Sequence, residues 1–346
     1  MSDRRAYLDR GVGETRGVVT LDGRPERLLI HRDDDDPFLR VGARVVARVA
    51  QVDAALATAF VDLGQGRQAV LNFRPDEKPV RGAALELEVR TEPRRGKLAT
   101  LRPLGPAEGA PRLIAPAPEV AELVSRLARA PTLTEGRAAR EQADSAEAEA
   151  LEVLHPLPGG GEIAIEPTRA LVAVDVDVGA RGGSDAKRVT RAANLAALAE
   201  AARLLRLKGL GGLVVIDLAG RGHDATSLLA AARLAFAPDN PGVAMGQIGR
   251  FGTLELTLPR RERSVIERLL GEDGHPTALA LAHRLMRRLL AEGEAQGGAR
   301  LVARCAPDVA DAARSLAPGL AARIGARFEI EAQPAFSRDR LDVAAR

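Results

Sequence analysis

Two short, continuous apolar runs stand out along the chain, Ala170–Val176 (ALVAVDV) and Gly212–Leu218 (GLVVIDL), and both end on acidic residues. Asp175 and Asp177 close the first, and Asp217 closes the second. Runs this short and apolar read as strands buried in a sheet, whereas Val189–Leu207 between them repeats its apolar residues at helical spacing. Strand, helix, strand predicts a βαβ unit with a parallel pair. Such a crossover brings the carboxyl ends of both strands to one edge, where open α/β folds carry their sites. Asp175 and Asp217 are therefore expected to face one crevice. Two close carboxylates repel each other unless they hold a hard divalent cation such as Mg2+.

Upstream, the pattern is of alternating strands. Arg16–Leu21 (RGVVTL) and Arg27–His31 (RLLIH), joined through Asp22-Gly23-Arg24, predict a hairpin, because Asp-Gly is a strong turn signal. Asp33–Asp36 is a run of carboxylates read as a solvated turn rather than a metal site. Residues 41–104 alternate through Val41–Val52, Ala57–Leu63, Arg67–Phe73, Ala84–Arg90 and Leu98–Leu101, separated by glycine turns. Short strands so spaced predict a small barrel of the oligonucleotide-binding (OB) type. The segment ATAFVDLGQGRQAVLNF resembles an S1 RNA-binding domain. That resemblance gives Phe60 the place of a base-stacking aromatic, the alternative being a core aromatic. Ala69-Val70-Leu71 stands where a second aromatic is usual, which predicts weaker stacking. Arg94, Arg95 and Lys97 form either a phosphate-contacting loop or a merely soluble hairpin tip.

Pro103 to Pro118 is rich in Pro, Ala and Gly and reads as a linker, followed by helices at Glu119–Arg129 and Glu135–Leu154. Residues 105–155 thus read as linker and helices without evident chemistry, and residues 156–262 as the α/β unit. Gly159–Gly161 reads as a tight turn; no Lys-Ser/Thr follows, so it is not a P-loop. Arg181-Gly182-Gly183 could approach a phosphate through its backbone. His223 is either a substrate contact or an exposed turn residue. A helix is expected from about Asp224. Gly246–Leu256 reads as a further strand in which Arg250 beside Phe251 pairs a cation with a stacking surface. Residues 263–346 read as a small α+β domain: helices at Arg263–Leu270, Thr277–Gln296 and Pro307–Ile324, strands at Arg300–Arg304 and Arg327–Ala332. His283, Arg284, Arg287 and Arg288 give its long helix a basic, solvated face.

Composition narrows the picture. The 346 residues are 46% hydrophobic but 2% aromatic, so core volume comes from Leu, Val, Ile and Ala, and the length accommodates two or three domains. The formal net charge is +3, and the basic residues are mostly Arg, which suits bidentate phosphate contacts or reflects genome base composition. The single cysteine, Cys305, rules out an intramolecular disulfide and a Cys-cluster zinc site, and fits a reducing cytosol. MSDRRAYLDR has no apolar signal-peptide core, and there is no run of ~18 apolar residues, so a cytoplasmic protein is expected.

Three longer stretches, PLPGGGEIAIEPTRALVAVDVDVGARGG, NLAALAEAARLLRLKGLGGLVVIDLAG and IGRFGTLELTLPR, resemble the catalytic core of the ribonuclease E/G family. The resemblance implies an α/β multidomain protein. An S1-like (OB-fold) barrel is inserted near the N-terminus, after N-terminal strands over residues 1–40 that form a reduced RNase H-like part. A DNase I-like catalytic subdomain and a small C-terminal α+β domain follow. It implies an endoribonuclease that cuts single-stranded RNA in RNA processing or decay, using Mg2+, with Mn2+ as a substitute, held by two aspartates that match Asp175 and Asp217. The family's Asn, which orients the second aspartate, matches Asp177 here; the change bears on rate and metal preference. RNA contacts are expected from Phe60, Arg95, Lys97, Arg181, Arg250 and Phe251.

The sequence departs from the family elsewhere. The 5′-monophosphate sensor with its Arg-Thr motif has no counterpart, and the acidic residue usual three positions after the second aspartate is Gly220. The Cys-x-x-Cys zinc link between protomers is missing, which implies no zinc, leaves a homodimer open and makes the family's tetramer unexpected. These departures also leave a second expectation standing, a catalytically weakened RNA-binding protein of the same family.

Overall fold

The computed structural model describes residues 3–94, 96–130, 132–180, 185–222 and 224–346. Its first element is an antiparallel sheet of β1 (Arg4–Arg10), β2 (Glu14–Leu21) and β3 (Arg24–Arg32). Asp22 and Gly23, with φ of 51° and 79°, form the tight β2–β3 turn that the Asp-Gly pair predicts. β1 has no counterpart in the sequence reading.

The chain then forms β4 (Arg44–Asp53), β5 (Thr58–Gly64), β6 (Arg67–Asn72), β7 (Ala84–Thr91) and β8 (Ala99–Pro106). Their order, β5-β6-β8-β7-β4 with β5 pairing back onto β4, closes a five-stranded barrel consistent with an OB fold. Its interior is small: Val45, Ala47, Val49, Ala59, Val61, Ala69, Leu87 and Ala99 are buried there. Alternation along β5 turns Phe60 outward, between Gln51 of β4 and Val70 of β6. Phe60 is thus half-buried on the barrel's outer surface rather than in its core.

The expected linker is corrected. β8 runs to Pro106, and β9 (Arg112–Ala115) pairs with β4 on the barrel wall. Pro103, Gly105 and Pro106 fall in the part of β8 that pairs with β7 alone, past its β6 contact at Ala99–Leu101, so one side of the strand needs no N–H there. Helix α1 (Val120–Ala128) packs Val120, Val124 and Ala128 against Ala6, Leu8 and Val19. Gly17 permits this approach: a Cβ there would lie 2.5 Å from methyls of both Val120 and Val124. β10 (Leu133–Thr134) joins β1 in parallel, and α2 (Arg137–Leu151) packs its Ala143, Ala146 and Ala150 into the main core.

The second half opens with β11 (Leu154–Pro156), β12 (Glu162–Pro167), β13 (Val172–Asp177), α3 (Ala186–Lys208), β14 (Gly212–Asp217), α4 (Ala225–Phe236), β15 (Ala244–Ile248) and β16 (Thr253–Leu258). The sheet order is β11-β12-β13-β14-β16-β15, with β13 and β14 parallel as the apolar runs predict. α3 starts at the Asp185 cap, which accepts the N–H groups of Lys187 (3.0 Å) and Arg188 (3.2 Å). It ends at Gly209, whose φ of 65° is the left-handed C-cap. α3 packs against both β3 and this sheet, so Val18, Leu28 and Ile30 of the N-terminal sheet share one core with Val174, Leu198, Leu204 and Ile216.

Lys208, fully buried at the end of α3, donates Nζ hydrogen bonds to the carbonyls of Ala150 (3.0 Å) and Glu152, satisfying the C-terminus of α2. Burial pushes its pKa down from 10.5 to about 8, against the pull of Glu149 and Glu152. Between those pH values the unfolded chain binds the proton and the folded chain does not, so stability contributed at this site rises with pH. Relative to Lys208→Met, the wild type should gain about 3 kcal/mol between pH 7 and 10.5, at about 1.4 kcal/mol per pKa unit. Urea unfolding of both proteins across that range measures it.

The C-terminal part comprises α5 (Val265–Leu269), α6 (Ala278–Ala295), β17 (Leu301–Cys305), α7 (Pro307–Ile324), β18 (Phe328–Ala332) and β19 (Asp342–Ala345), with sheet order β18-β17-β19. Cys305 is buried in its core. Two charge expectations are corrected here. The basic face of α6 is not solvated: His283 and Arg287 are buried, His283 Nδ1 lies 3.2 Å from the Val12 carbonyl, and Arg287 donates to Glu14 (2.6 Å) and Glu147 (3.0 Å). The Asp33–Asp36 turn is solvated only in its first half, where Asp33 and Asp34 are exposed. Asp35 accepts from Arg263 and Arg268, Asp36 accepts from Arg67 (2.6 Å), and Arg268 also donates to Glu92 (3.0 Å) at the barrel's β7–β8 tip. Arginines distant in sequence neutralise these carboxylates, which local composition does not show. Among the described residues, no helix is long and apolar enough to cross a membrane.

Candidate active site

β13 and β14 lie side by side with Asp175 in register with Asp217. Adjacent strands are ~4.8 Å apart, so the two carboxylates start from neighbouring backbone positions. Strand alternation buries Val174, Val176, Val214 and Ile216 on the helix-covered face and turns both aspartates to the opposite, exposed face. The register continues outward to Ala164 of β12 beside Asp175 and Thr253 of β16 beside Asp217. These small flanking side chains leave the pair open. Among the described residues, neither carboxylate has a hydrogen-bond or ion-pair partner. That contrasts with Asp9, Glu14, Asp35 and Glu147, each held by arginine. No group of three or more His, Cys, Asp or Glu converges as a metal cluster among the described residues. The donor set is two carboxylates with open space beside them. Such all-oxygen donors suit a hard divalent cation that completes its shell with water and substrate oxygens.

Asp177 lies beyond the part of β13 that pairs with β14 and is the cross-strand partner of Glu162 on β12. Its Oδ1 accepts the N–H of Gly179 at 2.8 Å, so one carboxylate oxygen holds the turn that ends the strand. The glycine turn before β12 packs against this end: at Gly161, with φ of 76°, a Cβ would lie 2.3 Å from the Asp177 carbonyl. Gly220 has a comparable reason to be glycine. Its φ is 81°, and a Cβ would lie 2.7 Å from the Thr190 methyl, so an acidic side chain does not fit this loop as built.

The loop after Asp217 is fastened by a residue that the sequence reading passed over. Asn194 of α3, fully buried, accepts the Ala219 N–H (2.9 Å) and donates to the Ala219 carbonyl (3.0 Å). An amide about two turns into a helix otherwise rich in Ala and Leu is its only signal in the sequence. Asn194→Ala leaves both backbone groups without these bonds and should cost about 1–3 kcal/mol. Thermal unfolding measures the cost.

Arg250 and Phe251 sit in the turn between β15 and β16, with the Arg250 Cζ 4.5 Å from the Phe251 ring centroid and Phe251 78% exposed. The Leu218 N–H donates to the Gly252 carbonyl (3.2 Å), tying this turn to the end of β14. Asp175, Asp177, Asp217, Arg250 and Phe251 are thereby brought to one edge of the sheet. Lys97 is not. The barrel tip that carries it docks through the Glu92 N–H on the Arg261 carbonyl (2.8 Å), beyond Leu258, at the end of β16 opposite Thr253. Phe60 lies on the barrel wall. Arg95, Arg181 and His223 lie outside the described residues.

Residues 117–263, which hold this sheet with α1 to α4, match the model of the ribonuclease E/G family. Ribonuclease E of Haemophilus influenzae is 39% identical over 123 residues, 34% of this chain and 12% of that protein. Ribonuclease E of Escherichia coli is 38% identical over 122 residues, again 34% of this chain and 11% of that protein. Ribonuclease G of Salmonella typhimurium is 24% identical over 209 residues, 56% of this chain and 42% of that protein. The matches thus span about an eighth of the ribonuclease E proteins and under half of ribonuclease G. The matched segment is the one whose topology sets the two aspartates side by side, and over residues 117–263 this chain is similar to the ribonuclease E/G family.

Proposed function

We propose that the chain is a divalent-cation-dependent endoribonuclease that cuts single-stranded RNA, with the six-stranded sheet, α3 and α4 as a DNase I-like catalytic subdomain. The observation that carries the reading is the register of Asp175 with Asp217 on an exposed face, both carboxylates free of protein partners among the described residues. Asp175 and Asp217 hold the cation, Mg2+ or Mn2+. Bound there, it supplies a water of lowered pKa and neutralises charge on the scissile phosphate. Asp177 shapes the end of β13 through Gly179 and keeps its second oxygen facing the same edge as a tuning group. Asn194 holds the loop after Asp217, and Phe251 with Arg250 offers a stacking surface and a cation to the RNA beside the reacting bond. The barrel, through Phe60, contributes further RNA contact away from the reaction.

The relatives are named as ribonucleases, which gives no support to a catalytically weakened binding protein. The test is incubation of the purified chain with an end-labelled A/U-rich single strand. Internal cuts that need Mg2+ and vanish in EDTA are expected; cuts that persist in EDTA would remove the cation from the account.

A further inference from the structure

The two flanks of Phe60 differ in a way that the resemblance to S1 domains does not assign. On the β6 flank its neighbour is Val70, which offers no ring for a second base. On the β4 flank, beside its partner Gln51, lies a groove of about 740 Å³, open to solvent, with Gln51 and Val52 on one wall and Lys78, Pro79, Val80 and Arg81 on the other. That volume falls in the ~300–1,000 Å³ range of small-ligand sites.

The groove has a structural origin. The segment before β7 is pinned to β4 by Gly82 N–H to the Val49 carbonyl (2.8 Å) and Val49 N–H to the Ala83 carbonyl (2.9 Å). Past that point β4 pairs only with β5, and Pro79 has no N–H to extend the pairing on the other side. The two chains therefore separate, and Val80 is left 73% exposed.

Charge favours the same flank. Elsewhere on the barrel, across β4, β7 and β8, the cations are matched, Arg44 with Glu86 and Arg102 with Glu88 (2.8 Å). Lys78 and Arg81 are exposed and, among the described residues, have no ion-pair or hydrogen-bond partner. Asp76 and Glu77, on the neighbouring turn, do not line the groove. An apolar slot flanked by two uncommitted cations and an aromatic edge matches one nucleotide of a single strand: a flat base against apolar walls and a phosphate against Lys and Arg.

We propose that this groove is a nucleotide subsite, so that single-stranded RNA leaves Phe60 towards β4 and residues 78–81 rather than across β6. The base next to the one on Phe60 enters between Val52 and Pro79–Val80, and Lys78 and Arg81 take its phosphate. The proposal deepens the nuclease reading and rests on RNA being the ligand.

The test is binding, not cleavage: fluorescence anisotropy of a labelled oligouridylate with the full chain in EDTA. Lys78→Gln with Arg81→Gln should weaken binding about tenfold and flatten the slope of log K against log salt by about 0.7, the value for one phosphate on single strands. Arg44→Gln with Arg102→Gln removes the same charge from outside the groove and should change binding by less than about twofold. Lys78→Arg with Arg81→Lys should bind as the wild type. Equal losses in the two neutralised pairs, an unchanged affinity in the groove pair, or no RNA binding by the wild type would each overturn the proposal. Failure of the Asp175–Asp217 reading alone would appear differently, as absent Mg2+-dependent cleavage with this binding pattern intact.

Discussion

Asp175→Asn and Asp217→Asn are each expected to lower Mg2+-dependent cleavage of single-stranded RNA by at least about a hundredfold, the usual scale for deleting one preorganised charge at a reacting phosphate. Each change removes one of two anionic donors from a site that has no third acidic ligand among the described residues. Neither should unfold the chain. Both side chains are exposed and without described partners, and substitutions of that kind shift stability by less than about 0.5 kcal/mol. Asp177→Asn separates the roles. The amide oxygen can still accept the Gly179 N–H, so the turn survives while a charge is lost. Activity within about tenfold of wild type is expected, with its Mg2+ requirement shifted. Full activity in Asp175→Asn or Asp217→Asn would remove that residue from the site.

The largest stability effect is expected at Glu147. This α2 carboxylate, 4% exposed, accepts from Arg16 (3.0 Å), Arg284 (3.0 Å) and Arg287 (3.0 Å), joining the N-terminal sheet to α6. Glu147→Ala leaves the buried Arg16 and Arg287 guanidinium groups short of a counter-charge. Asp9, Glu14 and Asp144 compensate only in part. Breaking one member of such a buried network costs about 3–5 kcal/mol, a large share of a typical 5–15 kcal/mol total. Chemical denaturation should show the midpoint falling accordingly. The network also sets an acid limit. Burial alone would raise the Glu147 pKa, but Arg287 and Arg16 outweigh it and hold the carboxyl below its ordinary 4.5. A depressed carboxylate contributes fully above its unfolded value and loses that contribution as pH falls through the folded one. Wild type should therefore lose stability below about pH 4.5 more steeply than Glu147→Ala.

What the sequence exposes and what it hides follow physical lines. The βαβ unit is legible because two uninterrupted apolar runs flank a helical period, and a crossover brings the carboxyl ends of both strands, with Asp175 and Asp217, to one edge. β1 is not legible: RRAYLDR is rich in charge, and its Asp9 is buried only because Arg16 meets it at 2.6 Å. β9 hides because it is only four residues long, Arg112–Ala115, and lies between Pro- and Gly-rich segments. The basic face of α6 and the second half of the Asp33–Asp36 run look solvated for the same reason: their partners lie far along the chain, and ion pairing of that kind leaves no local period. Asn194 and the groove beside Phe60 depend on backbone placement, which residue spacing does not reveal.

The measurement that bears most directly on the paired aspartates is cleavage of one labelled A/U-rich single strand by three parallel samples: the chain with Mg2+, the chain with EDTA, and Asp175→Asn with Mg2+. Internal cutting in the first sample alone is the predicted result. Equal cutting by the Asp175→Asn protein, or RNA bound but uncut by the wild type even with Mn2+, would contradict the assignment of Asp175 and Asp217 as the cation-holding pair of a nuclease.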